Sequence, residues 1–281
     1  MNKQQARAFS VLKDVISVLN RHSLKYYMAY GSCLGTVRHG GFIPWDDDID
    51  ILMPRCDYEE FRTKYFKELP EFYEIKDPKI DKEFKYLFIK IHDSRTTYVE
   101  TQYEPYPSEY MGIFIDIFPL DGMPLIDQET YLKKIAFFRS LNYVFRDKEN
   151  ANTRHKLIKK VLRFVLNLFF DKNFFIEKIE KMVGNYDFYK SKKVINIVTT
   201  RYNMNHIFPY TDFLEGKTMK YEGLDVCIPY NYEHYLTTIY GDYMKIPSQE
   251  EIKNAKHTYA ICDTEKPYKF YAKQKWEQQR K

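Results

Sequence analysis

No metal-binding cysteine spacing occurs in this chain of 281 residues. Its four cysteines, Cys33, Cys56, Cys227 and Cys262, are scattered without a CxxC or CxxxH arrangement, which indicates neither a zinc site nor a disulfide framework. Long hydrophobic runs are missing too. No uncharged stretch approaches the length of a transmembrane helix, and the N-terminal "MNKQQARAFSVLKDV" has no apolar core of signal-peptide type. The sequence is therefore expected to work in the cytoplasm. A dense Lys/Arg stripe is also absent: 44 basic residues against 39 acidic ones leave a net charge of +5, so no nucleic-acid partner is expected. Internal repeats and low-complexity linkers are not seen.

What remains is a globular composition, 44% apolar and 30% charged, long enough to bury a full core. Aromatics are abundant, with 26 Tyr and 21 Phe. They suit flat, amphipathic surfaces for sugars or bases, and equally suit ordinary core and surface positions in a chain with biased codon usage.

Residues 4–20 carry Ala8, Val11, Leu12, Val15, Val18 and Leu19 at helical spacing. "LKYYMAYGS" reads as a short strand ending in a Gly-Ser turn, and "DIDILMP" as a second strand stopped by Pro54. "CDYEEFRTKYFKEL" follows as a helix, with Asp57 as N-cap and Glu60 at the capping-box position. "FKYLFIKIHD", "TTYVETQY" and "GIFIDIFPLDG" are three further strands. The last sets Ile113, Ile115 and Ile117 on one face and Phe114, Asp116 and Phe118 on the other. Residues 128–183 turn helical, "TMKYEGLDVCIP" reads as a hairpin, and "YEHYLTTIYGDYM" as a late helix. The expected class is α/β (α+β): a mixed-sheet core over residues 1–125 and a mostly helical region over 126–281 that completes the site within one compact unit.

The chemistry concentrates in "GSCLGTVRHGGFIPWDDDIDILMP", where Asp46, Asp47, Asp48 and Asp50 run straight into Ile51, Leu52 and Met53. On a strand Asp48 and Asp50 project together, with Asp46 on the same side if the strand reaches it. Alternate Cα atoms are then roughly 6–7 Å apart. Carboxylates that close repel unless a cation lies between them, and hard divalent cations with oxygen ligands, Mg²⁺ above all, resolve the conflict. The bland reading is an acidic strand edge in solvent. Upstream, Gly31 and Ser32 offer backbone N–H groups and a hydroxyl to phosphate oxygens. Gly35, Gly40 and Gly41, with Arg38 and His39, read as a flexible, positively charged loop.

These residues resemble the signature of the LicD family, which includes bacterial phosphorylcholine transferases and the fukutin-type transferases of animals. "GIFIDIFPLDG" is similar to that family's second block, and "VCIPYNYEHYLTTIYGDYMKIP", followed by His257, to its C-terminal block. The resemblance implies a nucleotidyltransferase-like fold whose hallmark is Gly-Ser, a strand Asp-x-Asp and a third carboxylate on a neighbouring strand, here Asp116. One departure is His92 in "IKIHD", where family members often carry Arg.

The resemblance further implies transfer of a phospho-alcohol group, phosphocholine first, from a CDP-alcohol donor such as CDP-choline to a sugar hydroxyl, with release of CMP. The acceptor would be a cell-surface glycan such as teichoic acid, lipopolysaccharide or capsule, reached as a lipid-linked precursor. Asp48, Asp50 and Asp116 would be the catalytic carboxylates. Mg²⁺, or Mn²⁺, would be held by Asp46, Asp48, Asp50 and Asp116, while Asp116 alternatively takes the proton of the attacking hydroxyl. Gly31, Ser32, Arg38, His39, Lys90 and His257 are candidate donor or phosphate contacts. For Arg38 and Lys90 a surface ion pair is the competing reading, and for Tyr240 and Tyr243 a pocket wall competes with core packing. Two other classes stay open: nucleotidyl transfer with release of diphosphate, and a non-catalytic scaffold. Finally, "RHKLIKKVLRFVLNLFF" interleaves Lys156, Lys159, Lys160 and Arg163 with apolar residues. It reads as a helix packed on the core or as one lying on the inner face of the cell membrane.

Overall fold

The computed structural model describes residues 1–100, 111–146, 156–198, 206–255 and 258–279. The chain begins with α1 (Lys3–Arg21), β1 (Tyr27–Met28), α2 (Tyr30–His39), β2 (Asp50–Pro54) and α3 (Arg55–Thr63). It continues through β3 (Tyr73–Lys76), β4 (Ile89–Glu100) and β5 (Met111–Gly122). Three helices follow, α4 (Gln128–Arg146), α5 (Lys156–Phe169) and α6 (Phe174–Val183), then β6 (Lys193–Ile195) and β7 (Ile207–Pro209). The hairpin β8 (Lys217–Tyr221) and β9 (Leu224–Ile228) leads into α7 (Tyr232–Tyr240) and α8 (Gln249–Ala255). The described chain ends with β10 (Tyr259–Asp263) and α9 (Tyr268–Gln279).

Helix α1 starts on a capping box. Asn2 Oδ1 accepts from the Gln5 backbone N–H at 2.8 Å, and Gln5 Oε1 accepts from the Asn2 N–H at 2.9 Å. Its apolar stripe, fully buried at Val11, Leu12, Val15 and Leu19, packs against the sheet. The sheet is mixed, in the order β1-β2-β5-β4-β10. Strand β2 runs parallel to β5, whereas β4 is antiparallel to β5. Every residue of β5 is buried, as a strand covered on both faces requires. Its two acidic residues each have a basic partner: Asp116 has Lys90, and Asp121 takes Arg55 at 2.7 and 3.0 Å.

Strands from the second half join the same sheet. Strand β10 pairs with the far end of β4, β6 with the end of β5, and β7 with β6. Tyr235 and Leu236 of α7 and Val194 of β6 belong to the main core. Residues 126–281 are thus stitched into the sheet that residues 1–125 begin.

Several local expectations change. Gly31 and Ser32 open α2 instead of closing a turn, and Gly35, Arg38 and His39 are helical, so the expected flexible loop shrinks to Gly40 at the helix end. Strand β2 begins only at Asp50, leaving Asp46 and Asp48 in the preceding bend. The two expected strands over 84–93 and 96–103 are one strand as far as Glu100; residues 101–103 lie outside the described residues. In α3 the N-cap position falls on Pro54 with no side-chain cap, and the Asp57 carboxylate instead accepts from the Tyr189 hydroxyl at 2.6 Å.

Candidate active site

Register builds the centre of the site. In the parallel pair Asp50 lies opposite Asp116, and in the antiparallel pair Asp116 lies opposite Lys90. Three charged residues therefore form one row across β2, β5 and β4, and the next positions, Ile51 and Ile117, turn to the other face and are fully buried. Lys90 Nζ donates to both oxygens of Asp116, at 2.8 and 2.9 Å, and lies 3.6 Å from the centre of the Phe114 ring. The lysine is buried at 5% exposure.

Ser32 fixes the start of β2, because its hydroxyl accepts the Asp50 N–H at 2.9 Å. The Asp50 carbonyl accepts from Ala29 N at 2.9 Å, and the Ile49 carbonyl accepts from Asp116 N at 2.8 Å. Just before this point Tyr30 adopts φ 44°, a left-handed conformation that costs a tyrosine energy and that the tight β1–α2 junction enforces.

The bend that holds Asp46, Asp47 and Asp48 is tied down by the first turn of α1. Gln5 donates its side-chain amide to the Asp46 carbonyl at 2.8 Å, and Gln4 donates to the Asp47 carbonyl at 3.2 Å. One carboxylate oxygen from each of Asp46, Asp47 and Asp48 lies within 4.8 Å of the others. Gly31 has a steric reason to be glycine: a Cβ there would sit 2.5 Å from an Asp46 carboxylate oxygen.

These groups line a cavity of 780 Å³ whose acidic side is Asp46, Asp48, Asp50 and Asp116. Trp45, Tyr240, Tyr243, Lys245 and Glu251 contribute to its remaining walls. Arg38 reaches across, donating to the carbonyls of Tyr243 at 2.7 Å and Lys245 at 3.1 Å, so it fastens the C-terminal block against α2.

The carboxylates described at the site press on one another. Burial lifts the Asp50 carboxyl well above its ordinary value, and Asp48, Asp116 and Asp46 push it the same way, with Lys90 opposing. Burial raises Asp116 to about 6, against the pull of Lys90. Burial, then Asp50 and Asp46, hold the Tyr240 hydroxyl protonated. A set of hard carboxylate oxygens under mutual repulsion beside an open cavity fits a divalent cation.

Of the residues singled out in the sequence, Gly31, Arg38, Asp46, Asp48, Asp50, Asp116, Tyr240 and Tyr243 meet at this cavity. Ser32 and Lys90 lie behind it, supporting Asp50 and Asp116. His39 is exposed, with its ring edge-on to Trp45 at 6.2 Å, and is not among the cavity's lining residues. His257 lies outside the described residues. His92 is buried, accepts the Gly112 N–H on Nδ1 at 3.2 Å and packs edge-on to Tyr268. Asp47 was missed as a possible ligand. Its carboxylate joins the 46–48 group and accepts from the Tyr98 hydroxyl at 3.1 Å. The uninterrupted Asp-Asp-Asp run was the available signal, and strict strand alternation hid it.

Comparison with known proteins gives a family match and similar relatives. The family model described as the LicD/FKTN/FKRP nucleotidyltransferase domain matches residues 23–150. The lipopolysaccharide cholinephosphotransferase LicD of Haemophilus influenzae is 28% identical over 266 residues, covering 90% of this chain and 94% of that protein. Human ribitol 5-phosphate transferase FKRP is 46% identical over 37 residues, 13% of this chain and 8% of that protein. Residues 23–150 thus match the LicD-type nucleotidyltransferase domain, and the similarity to LicD over nearly the whole chain supports a transferase.

Proposed function

We propose that this protein moves a phospho-alcohol group, phosphocholine first among the candidates, from a CDP-alcohol to a hydroxyl of a cell-surface glycan precursor. The observation that carries the reading is Asp50 beside Asp116, with Lys90 behind them, at a cavity large enough for a nucleotide diphosphate. The similarity to a cholinephosphotransferase over nearly the whole of both chains supports the choice of group. Mg²⁺ or Mn²⁺, held by Asp46, Asp48, Asp50 and Asp116 with Asp47 beside them, would screen the diphosphate charge.

The chain's own residues do the rest. The positive end of α2, at Gly31, favours a phosphate next to the carboxylates. Trp45, Tyr240 and Tyr243 offer flat faces to a base or an alkylammonium group, and Glu251 adds a negative charge on the same wall. The acceptor oxygen attacks the phosphorus that carries the alcohol, the bond from that phosphorus to the CMP oxygen breaks, and CMP leaves. The hydroxyl proton passes to a carboxylate at the row; Asp116 is the candidate acceptor in the alternative arrangement in which it does not ligate the metal. The site of action would be the cytoplasmic side of the membrane, where lipid-linked acceptors are within reach.

The test is to incubate the purified protein and Mg²⁺ with CDP-choline, CDP-glycerol and CDP-ribitol and a glycan acceptor, then assay CMP and the modified glycan. One donor should yield CMP in step with acceptor modification, and EDTA should stop both. A cytidylylated acceptor with released diphosphate would instead establish nucleotidyl transfer.

A further inference from the structure

Helix α5 is seated on the body by only part of its apolar surface. Leu166 is buried and Leu162 partly buried against Phe145 and Phe175, while Arg163 Nε donates to the Val144 carbonyl at 3.1 Å. At 100° per residue, Ile158, Val161, Phe164, Val165, Leu168 and Phe169 occupy one continuous arc pointing elsewhere. They are 65, 56, 66, 41, 63 and 74% exposed. The apolar surface continues past the helix end, where Phe170 and Phe174, themselves 36 and 38% exposed, pack ring to ring at 4.5 Å. Scattered exposed apolar residues need no explanation, but a contiguous face of this size marks something that covers it.

Charge identifies what covers it. The helix contains Lys156, Lys159, Lys160 and Arg163 and no acidic residue. Its polar arc, from Lys159 round to Lys160, is basic apart from Asn167; its Lys160 end borders the exposed apolar arc, and its Lys159 end the seated Leu166. A broad face of Phe, Leu, Val and Ile beside a purely basic arc is the pattern of a helix lying in the headgroup region of an anionic bilayer. A second copy of this chain is a poor match, because a two-fold pairing of α5 faces would bring two basic arcs together. Among the described residues no helix is long and apolar enough to cross a membrane.

We infer that α5 docks the protein reversibly on an anionic lipid surface, with Phe164, Leu168 and Phe169 entering the headgroup layer and Lys160, beside Phe164, contacting lipid phosphates. This inference is independent of which phospho-alcohol the site transfers. The full-length protein is sedimented with vesicles of phosphatidylcholine alone, or of phosphatidylcholine mixed with phosphatidylglycerol. Binding is expected on the mixed vesicles only and should weaken with salt. Phe164→Ser with Leu168→Ser should abolish it, Lys160→Gln should lower affinity about fivefold, and Lys159→Gln, beside the seated Leu166, should change it less. All four positions are outside the catalytic cavity, so CMP release with a short soluble acceptor and the melting temperature should stay at wild-type values. No binding of wild type to mixed vesicles would overturn the inference, as would binding that Phe164→Ser/Leu168→Ser leaves intact. Self-association in sedimentation velocity that the same double variant abolishes would instead assign the face to a second copy. A protein that binds vesicles but releases no CMP would refute the proposed reaction and leave the docking surface standing.

Discussion

Lys90→Met probes how the acidic row is balanced. In the native protein Lys90 contacts both Asp116 oxygens, at 2.8 and 2.9 Å, from a buried position. An opposite charge at this range lowers a carboxyl pKa by about 1–3 units. Asp116 stands at about 6 with the lysine present, so the variant is expected at about 7–9. The folded-state pKa exceeds the unfolded one, so ionising Asp116 opposes folding. The cost grows as pH rises from the unfolded value to the folded one and is constant above it. In wild type, without metal, that plateau is about 3 kcal/mol and is reached near pH 6. In the variant the loss continues upward, and at pH 7 the carboxyl protonates, which caps the cost near about 4 kcal/mol. The net destabilisation at pH 7 is therefore about 1–2 kcal/mol, a fall of about 2–6 °C in melting temperature. That is well below the about 3–5 kcal/mol expected for a stranded buried ion that cannot neutralise itself.

Binding of the proposed metal is the more sensitive readout, because it would require the ionised carboxyl. Mn²⁺ affinity at pH 7 should fall between about twofold and about 100-fold in Lys90→Met, following the fraction of Asp116 still ionised. It should recover on raising the pH, and well above the new pKa it should exceed the wild-type value, since a cation no longer faces the lysine. Calorimetric Mn²⁺ titrations across pH 6–9, with circular dichroism to confirm folding, decide the matter. Equal affinity and the same pH profile in both proteins would refute the reasoning. So would a loss that alkaline pH fails to restore in a folded variant.

Two further outcomes follow from the same electrostatics. Asp50→Asn should abolish turnover yet raise the melting temperature in EDTA, because both burial and three neighbouring carboxylates oppose the charged form of Asp50; a lower melting temperature would contradict this. His92 is held neutral at a pKa of about 3 by burial, so below pH 6.5 the unfolded chain takes up a proton that the folded one refuses, costing about 2 kcal/mol by pH 5. His92→Asn, whose Oδ1 takes the place of Nδ1 and can still accept the Gly112 N–H, should flatten that acid limb of the melting profile; an unchanged slope would show that other groups carry it.

How far the sequence disclosed this site depends on the range of the interaction. Local patterns were legible. The spacing in α1, the alternation in β5 and the basic-apolar helix α5 all rest on neighbours within a few residues. The partnership of Asp50, Asp116 and Lys90 was only half legible. Alternation places Asp116 on a face opposite Ile115 and Ile117, but only strand register shows that Asp50 stands beside it and that Lys90, 26 positions earlier, lies behind. Lys90 as a phosphate contact and Lys90 as the partner of a buried carboxylate look identical in a strand read alone.

Glycine misled the reading for a related reason. Gly31, Gly35, Gly40 and Gly41 are strong turn signals when taken locally, and a flexible loop was the natural expectation. Only Gly40, with φ 67° at the end of α2, uses glycine's conformational freedom there. Gly31 is instead required by a neighbour 15 residues away: the Asp46 carboxylate occupies the space a side chain would need. A rigid helix start pressed against the carboxylate bend holds the acidic residues where a loop would let them spread apart. The four aspartates beside an apolar strand are then intelligible. Ile49, Ile51, Leu52 and Met53 anchor the strand in the core, and α1, Gly31 and Ser32 hold the charges at its mouth against their own repulsion. Repulsion contained in this way is what the proposed cation would relieve.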